Sequence, residues 1–405
     1  MKLIPDIYLS MSKNIIIIFL LIGILTVLCV IPANAKTDEE IYQEKSAVLK
    51  DDDIKGHYDL GEWCLKNKLL EQAKTQFNKV IELNPKYKTA KQNIEKIIQL
   101  EKDAKIAEII KKYGPYKDVL DKPGADTEKL PWENAREKET ENFIVKTNLS
   151  MDALNDICCL LECARFIYQD FFGTDFERFK RNKLNVFVMK NRDDYEKVFH
   201  DVRGDNPSKG HVGIYVPGSY PGNKSRQAHI LSYYDPLGQE PLISTLFHEG
   251  THHVIELIEF ERNCPRSPIW LNEGLAIYLG SSKLENGKIV PNISQVRLHQ
   301  IKKVITKQSY IKLEEFINRA SAKYDSNICY PEGWSLVYFL LNSKYKDVFK
   351  AYMESWGKSK IPMDKRPGNY YPKDKIAHLK LFEECIGVPI DQLEKEWKEY
   401  ILGLK

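Results

Sequence analysis

Apolar residues recur at helical spacing near both ends of the chain, whereas the middle combines short alternating runs with helical stretches. This spacing predicts helices over residues 54–67, 70–83, 87–112, 151–170, 193–199, 242–258, 334–341 and 389–402. Runs rich in β-branched and aromatic residues predict short strands at residues 143–145, 184–189, 212–216 and 228–233. Strands grouped ahead of a long helical segment predict an α+β domain over residues 141–405, with a small mixed sheet and a helical C-terminal part.

The residues before that domain predict an all-α unit over residues 36–112. Gly61, Ala73, Phe77 and Pro85 stand at offsets that resemble those of a tetratricopeptide repeat, with small residues where two helices touch. Such repeats bury one face against a stacked neighbour, so this hairpin is expected to pack on another surface. Two interpretations stay open: a docking surface for a protein partner, and a helical spacer without a binding function.

The first 35 residues have the organisation of a secretory signal peptide. An apolar run at residues 15–31 follows Lys2 and Lys13, and the small-residue sequence Ala33-Asn34-Ala35 comes soon after it. The alternative is an uncleaved membrane anchor formed by residues 15–31, because about 17 apolar residues approach the shortest span of a bilayer. The small-residue site favours cleavage. Both interpretations predict an exported protein, periplasmic or extracellular, which meets a membrane only if the segment stays uncleaved.

Length and charge narrow the class of protein further. The chain has 405 residues, 43% of them hydrophobic, which allows one large core and a smaller unit. Residues 113–140 carry Gly, Pro and charged residues without an apolar period, which predicts a linker. The net charge is only +3 and no basic cluster is interleaved with aromatic residues, so we expect no nucleic-acid partner.

Eight cysteines are present, one of them in the N-terminal apolar segment, and export permits disulfides. Cys158, Cys159 and Cys163 fall within a helical apolar pattern, which favours buried hydrophobic packing over a metal site. Cys264 precedes the segment that carries Glu273, and Cys329 adjoins Tyr330. A bridge between these two cysteines is one hypothesis, and spacing alone leaves the pairing open.

The strongest chemical signal is the sequence His-Glu-Gly-Thr-His at residues 248–252. On a helix, His248 and His252 lie on one face and can offer two imidazoles to one metal ion. Glu249 stands beside them, where a general base is needed. Glu273, in a second segment that opens another helix, supplies a carboxylate ligand. Two histidines, one carboxylate and an open fourth position are typical of catalytic rather than structural zinc.

Residues 248–253 and 268–276 together resemble the peptidase MA-like family of gluzincin zinc metallopeptidases. The resemblance implies a zincin-like domain over residues 141–405 that holds one Zn²⁺. It implies that His248, His252 and Glu273 bind the zinc and that Glu249 is the general base. His253 lies off the ligand face of the helix, and we expect a supporting role for it.

A further motif, Tyr-Pro-Glu-Gly at residues 330–333, is similar to the Tyr-x-x-Gly of aminopeptidase N-like gluzincins. The similarity implies that Tyr330 stabilises the tetrahedral intermediate of hydrolysis, for which the attacked carbonyl oxygen needs a hydrogen-bond donor. Pro331 in the first helical turn predicts that Tyr330 lies just outside the helix. Tyr278 is the weaker candidate for the same role.

Together these patterns predict an exported zinc peptidase acting on a peptide or protein substrate. The Gly-x-Met-Glu-Asn segment with which aminopeptidase N-like enzymes hold a free amino group is absent from the sequence. Endopeptidase action is therefore preferred, with an edge strand at residues 212–216 or 228–233 pairing with the substrate. The alternative is a catalytically inactive, zinc-containing binding or assembly protein that uses the helical repeat.

Overall fold

The computed structural model describes residues 36–405 except 115–116, 118, 121–129, 174–182, 219–226, 236–240, 262–265, 286–287, 291, 321–322, 326 and 363–371. The predicted signal segment, residues 1–35, lies outside this part of the chain. The protein is a mixed α/β molecule, with 14 helices and a small mixed sheet among the described residues. The chain divides into two compact units, one up to Lys102 and one from Asp103 onward.

The first unit is helical. Its helices are α1 (Asp38–Ala47), α2 (Ile54–Lys66), α3 (Leu70–Leu83) and the first part of α4 (Lys88–Tyr113). The predicted bounds of α2, α3 and α4 are confirmed to within one residue at each end. The sequence analysis did not predict α1, which begins with a capping box: the Thr37 hydroxyl accepts from the Glu40 N–H, and the Glu40 carboxylate accepts from the Thr37 N–H.

Helices α2 and α3 form a close antiparallel pair around Phe77. A Cβ added at Gly61 would lie 2.8 Å from the Phe77 ring, so only glycine lets the two helices approach this far. Ala73 and Phe77 are fully buried in the core of this unit. The hairpin therefore has the packing that the sequence predicts, and its identity as a tetratricopeptide repeat stays a prediction.

The second unit contains a five-stranded sheet of order β1-β2-β3-β5-β4. Its strands are β1 (Arg136–Glu139), β2 (Phe143–Thr147), β3 (Leu184–Met189), β4 (Gly213–Val216) and β5 (His229–Tyr233). The three central strands are parallel, and the edge strands β1 and β4 pair antiparallel to their neighbours. The four predicted strands are confirmed. Strand β1 falls in the predicted linker, because its charged residues are only half-buried and carry no apolar alternation.

Each face of the sheet has its own hydrophobic layer. Val186 and Ile230 point into the large core that also receives α5 (Met151–Phe172) and α7 (Leu242–Glu261). Phe187 and Leu231, the next residues along the same strands, point into a smaller core with α6 (Arg192–Arg203). This alternation follows from the two-residue period of a strand. The metal-binding helix predicted by sequence is α7, and it packs on the β4–β5 edge of the sheet.

The rest of the unit is helical apart from a hairpin of β6 (Lys283–Glu285) and β7 (Lys288–Val290). The helices are α8 (Ile269–Gly280), α9 (Gln295–Thr306), α10 (Leu313–Ile317), α11 (Cys329–Asn342), α12 (Lys346–Lys358), α13 (Lys375–Ile386) and α14 (Ile390–Gly403). Helix α8 packs against both α7 and α11. Three fully buried tryptophans anchor this helical part: Trp270, Trp334 and Trp397.

The cysteine predictions have a mixed outcome. Cys158, Cys159 and Cys163 are buried free thiols in the core side of α5, as the apolar pattern predicts. Cys329 is also a free thiol, buried at the start of α11, so the hypothetical bridge to Cys264 has no support. Cys264 itself lies outside the described residues. Among the helices that the structure describes, none is long and apolar enough to cross a bilayer.

Candidate metal centre

Helices α7 and α8 bring the three predicted metal ligands together. The Nε2 atoms of His248 and His252, one turn apart on α7, are 3.1 Å from each other. Oε2 of Glu273, from α8, is 3.4 Å from the first of these nitrogens and 3.6 Å from the second. Tetrahedral ligands placed 2.0–2.1 Å from a zinc ion are about 3.3 Å apart. The spacing of the three ligand atoms therefore fits one zinc ion.

The hydrogen bonds around the ligands point to the same conclusion. Nδ1 of His252 donates to Oδ1 of Asn272, so the lone pair of Nε2 faces His248. Oε2 of Glu273 is buried and has no hydrogen-bond partner within the described part of the chain. His252 and His248 lower the pKa of Glu273, although its burial acts in the opposite direction. Three atoms that can each donate an electron pair thus converge on one point, which is a donor set that suits a divalent cation.

Glycines let the helices come close enough for this convergence. A Cβ at Gly280, on α8, would lie 3.0 Å from the Ser244 carbonyl oxygen and 3.2 Å from the Cβ of His248. A Cβ at Gly250 would lie 3.0 Å from the Tyr168 hydroxyl, which donates to the Phe247 carbonyl oxygen. The small residues in and around the motif therefore serve packing, while its histidines and glutamate face the site.

Glu249 occupies the position that a general base requires. Its side chain is buried, and its Oε2 accepts a hydrogen bond of 2.7 Å from the backbone N–H of Tyr215 on β4. Burial raises the pKa of Glu249 to about 7, with the charge of Glu273 adding to the effect and His252 opposing it. A carboxyl with a pKa near neutrality can both accept and return a proton.

Two cavities, of about 300 and 550 Å³, flank this carboxylate. Both are lined by the same five residues, which mark the junction of the cavities: His211, Gly213, His248, Glu249 and Tyr330. Strand β4 borders both cavities through Gly213. A Cβ at this position would overlap the Thr245 methyl group of α7, so glycine lets the strand lie close to the helix. The candidate site is therefore the middle of a longer cleft along an edge strand.

Tyr330 is brought to this junction, as predicted, although it lies inside the first turn of α11 rather than ahead of it. Proline is tolerated throughout the first turn, so Pro331 does not define where the helix begins. The charge of Glu273, together with burial, raises the pKa of Tyr330 strongly. The hydroxyl therefore keeps its proton and is available as a donor. The weaker candidate, Tyr278, packs against Phe171 and lines neither cavity.

His253 does not belong to the group of three converging side chains. Its Nδ1 lies 3.0 Å from the Tyr215 hydroxyl, and burial lowers its pKa to about 4, which keeps the ring neutral. It therefore supports the strand whose N–H binds Glu249.

Several cavity residues were missed by the sequence analysis. Glu256 and Glu259 continue the ligand face of α7, which their spacing from His252 would have indicated. They line the 300 Å³ cavity, where Glu256 pairs with Arg266 at 3.4 Å. Nothing in the sequence marked His211.

Comparison with known families adds one finding. Residues 242–364 are similar to a family described as "Protein of unknown function (DUF1570)". The matched segment runs from the start of α7 and includes the three candidate ligands, Glu249 and Tyr330. No curated protein matches the chain.

Proposed function

We propose that this protein is an exported zinc-dependent peptidase of the gluzincin type. The observation that carries the proposal is the convergence of the three ligand atoms of His248, His252 and Glu273 next to a buried carboxylate. A structural zinc site uses four protein ligands, whereas three leave a position for the reaction. The secretory-type sequence of residues 1–35 supports export.

The side chains at the cavity junction have the chemistry that amide hydrolysis needs. When bound, zinc supplies Lewis acidity that polarises a carbonyl and makes water more acidic. Glu249 accepts the proton of the attacking water and passes it to the leaving nitrogen, for which its raised pKa is suited. The Tyr215 N–H holds one carboxylate oxygen in place during both transfers.

Tyr330 supplies the hydrogen-bond donor for the carbonyl oxygen as charge develops on it. Its raised pKa keeps the hydroxyl protonated, and its position at the junction sets it beside both Glu249 and His248. Oxyanion donors of this kind contribute about 100- to 1000-fold to kcat.

The cleft supports a peptide or protein substrate. It extends to both sides of Glu249, so a chain can continue in both directions from the bond that is cut. Within the described sheet, β4 is an edge strand along which an extended substrate can lie. Both features support endopeptidase action over removal of terminal residues.

The decisive experiment compares the wild-type protein with Glu249→Gln. Both proteins are expected to bind one zinc by elemental analysis, and only the wild type should cleave members of a diverse peptide library. The expected loss of kcat is at least about 1000-fold, because the base is removed while the metal remains. Two zinc-loaded proteins that are equally inactive would instead support the binding or assembly protein, for which the first unit would provide the partner surface.

A further inference from the structure

His211 stands at the cavity junction but belongs to no motif of the candidate metal centre. It lies two residues before β4 and lines both cavities together with Glu249 and Tyr330. The turn that carries it is held at two points. Its N–H donates to the Ser208 carbonyl oxygen, and Arg192 of α6 donates to its own carbonyl oxygen at 3.2 Å. The backbone at His211 is therefore fixed relative to the cleft.

The imidazole of His211 is fixed as well. Its Nδ1 lies 2.8 Å from the hydroxyl oxygen of Tyr195, which is fully buried beneath the sheet. Phe199 packs edge-on against the same ring at 5.7 Å between centroids. Because the two nitrogens of an imidazole point in divergent directions, anchoring Nδ1 on a buried hydroxyl turns Nε2 away from the core and toward the cavities.

The Tyr195 hydroxyl decides which nitrogen carries the proton. His211 is its one hydrogen-bond partner in the part of the chain that the structure describes. If Nδ1–H donated to Tyr195, the phenolic proton would be buried without an acceptor, which is unfavourable. The O–H therefore donates to Nδ1, and the neutral ring keeps its own proton on Nε2.

The surroundings keep this imidazole neutral. Burial lowers the pKa of His211, and the charges of Arg203 and Arg192 lower it further. Burial and the charge of Glu249 raise the pKa of Tyr195, which preserves the donor. His211 and Glu249 line the same two cavities, which places the Tyr195–His211 pair on the side of the cleft that carries the candidate base.

We propose that His211 presents a neutral Nε2–H donor to a carbonyl oxygen of the substrate, and that Tyr195 acts as a positioning residue that fixes this proton. This inference rests on the proposed peptidase function. It adds a second donor to Tyr330 at the junction, so that the carbonyl oxygen of the bond that is cut receives hydrogen bonds from two elements as charge develops on it. It also assigns a substrate group, a backbone carbonyl, to the 208–211 turn.

The tautomer is tested without any activity measurement. In the zinc-loaded protein labelled with ¹⁵N-histidine, the His211 signals are identified by their loss in His211→Gln. At pH 7.5 they should show a protonated Nε2 and an unprotonated Nδ1. Tyr195→Phe should give a mixture of the two tautomers. A wild-type spectrum with the proton on Nδ1, or with both nitrogens protonated, overturns the assignment.

The substrate role is tested on a labelled casein or on any peptide that the wild type cleaves. His211→Ala should lower kcat about 100-fold with less than a threefold change in KM. His211→Gln retains an N–H donor and should lose less than about tenfold. His200→Ala, on the exposed side of α6, is the matched control and should leave kcat unchanged. Melting temperatures of the variants confirm folding.

The outcomes separate the two proposals. Wild-type kcat in His211→Ala, combined with an inactive Glu249→Gln, overturns the role of His211 and leaves the peptidase intact. A wild type that cleaves nothing removes the peptidase and the substrate role together, while the tautomer is still decided by the ¹⁵N spectrum.

Discussion

Two histidines, the half-buried His252 in the candidate metal centre and the fully buried His378 in the helical core, make the same type of hydrogen bond at Nδ1 and differ in what Nε2 faces. Nδ1 of each is bonded to the side-chain oxygen of an asparagine, Asn272 for the former and Asn318 for the latter. Nε2 of His378 lies 2.8 Å from the Tyr352 hydroxyl, which has a proton to donate. Nε2 of His252 instead faces another imidazole nitrogen and a carboxylate oxygen. The Nε2 atom of His378 thus has a hydrogen-bond donor within the fold, whereas that of His252 faces two further candidate ligand atoms.

Two buried glutamates show the same contrast. Glu273 in the site and Glu332 in α11 each have one buried oxygen without a hydrogen-bond partner among the described residues. Burial raises the pKa of Glu332 to about 8, so this carboxyl is protonated and neutral below that pH. The pKa of Glu273 is lowered by its two histidine neighbours, so it stays charged. Burial alone raises the pKa of a carboxyl, as at Glu332, whereas the neighbouring histidines lower that of Glu273. The neighbouring side chains, rather than burial, therefore mark the candidate metal site.

The largest expected effect separates the two histidines by metal content. His252→Ala should weaken zinc binding by at least about 1000-fold, because one of three ligands is lost. His378→Ala should keep one zinc per chain. Elemental analysis after dialysis gives the ratio directly, and a zinc-loaded His252→Ala protein would contradict the assignment of the ligands.

The second prediction compares the stability of the same two variants, and here the larger effect is expected for His378→Ala. In metal-free protein, His378→Ala should lower the free energy of unfolding by about 3 kcal/mol, because Tyr352 and Asn318 lose their partner in a fully buried place. His252→Ala should change it by less than about 1 kcal/mol, since it removes one of three crowded acceptors at a cavity wall. Denaturant unfolding of both variants measures these changes. Equal losses in the free energy of unfolding would mean that the two histidines contribute alike to stability.

The third prediction concerns the asparagine that is bonded to Nδ1 of each histidine, Asn272 for His252 and Asn318 for His378. Asn272→Ala should weaken zinc binding by about 10- to 100-fold, because the proton on Nδ1 of His252 loses its acceptor and the ring is no longer oriented. Competition with a zinc chelator measures the change. Asn318→Ala is the matched control and should affect unfolding only. Unchanged zinc affinity in Asn272→Ala would mean that packing alone orients His252.

The smallest effect is a pH dependence. Glu332 binds its proton more tightly in the folded protein, with a pKa of about 8, than in the unfolded chain, where a glutamate has a pKa of about 4.3. Its contribution to stability is thus full below the unfolded pKa and is lost as the pH rises toward 8. Glu332→Gln should stabilise the metal-free protein, relative to the wild type, by about 1–2 kcal/mol more at pH 8 than at pH 6.5. Unfolding curves of the wild type and the variant at both pH values test this difference. If the free energy of unfolding changes with pH by the same amount in both proteins, the pKa of Glu332 is not raised.

Local periodicity explains what the sequence revealed. His248 and His252 share a helix face by spacing alone, and α7 has the predicted character because its apolar residues also recur at that spacing. Tyr330 was recognised through its motif, and Tyr278, already the weaker candidate, lies outside both cavities. Strand β1 was missed because its four residues are all charged, so the sequence shows no alternation of apolar and polar residues there.

Tertiary partners explain what the sequence did not reveal. His378 meets Asn318 and Tyr352 at separations of 60 and 26 residues, so nothing nearby in the chain marks it. His211 depends on a tyrosine 16 residues earlier and on a cavity formed by four helices and a strand. The partners of these two histidines are distant in sequence, so only the folded structure identifies their roles.

The contact between Gly274 and Gly333 has a consequence for how this protein can diversify. A Cβ at Gly274 would lie 2.6 Å from the Gly333 carbonyl oxygen, so α8 and α11 touch backbone to backbone. Glu273 and Tyr330, adjacent to this contact, are spaced by main-chain geometry rather than by side chains that mutation can exchange. Random libraries should therefore tolerate almost nothing at the two glycines while accepting wide variation at exposed residues of the cleft such as Lys209 and Val212. The cleft can then change in shape and charge while the candidate site keeps its geometry.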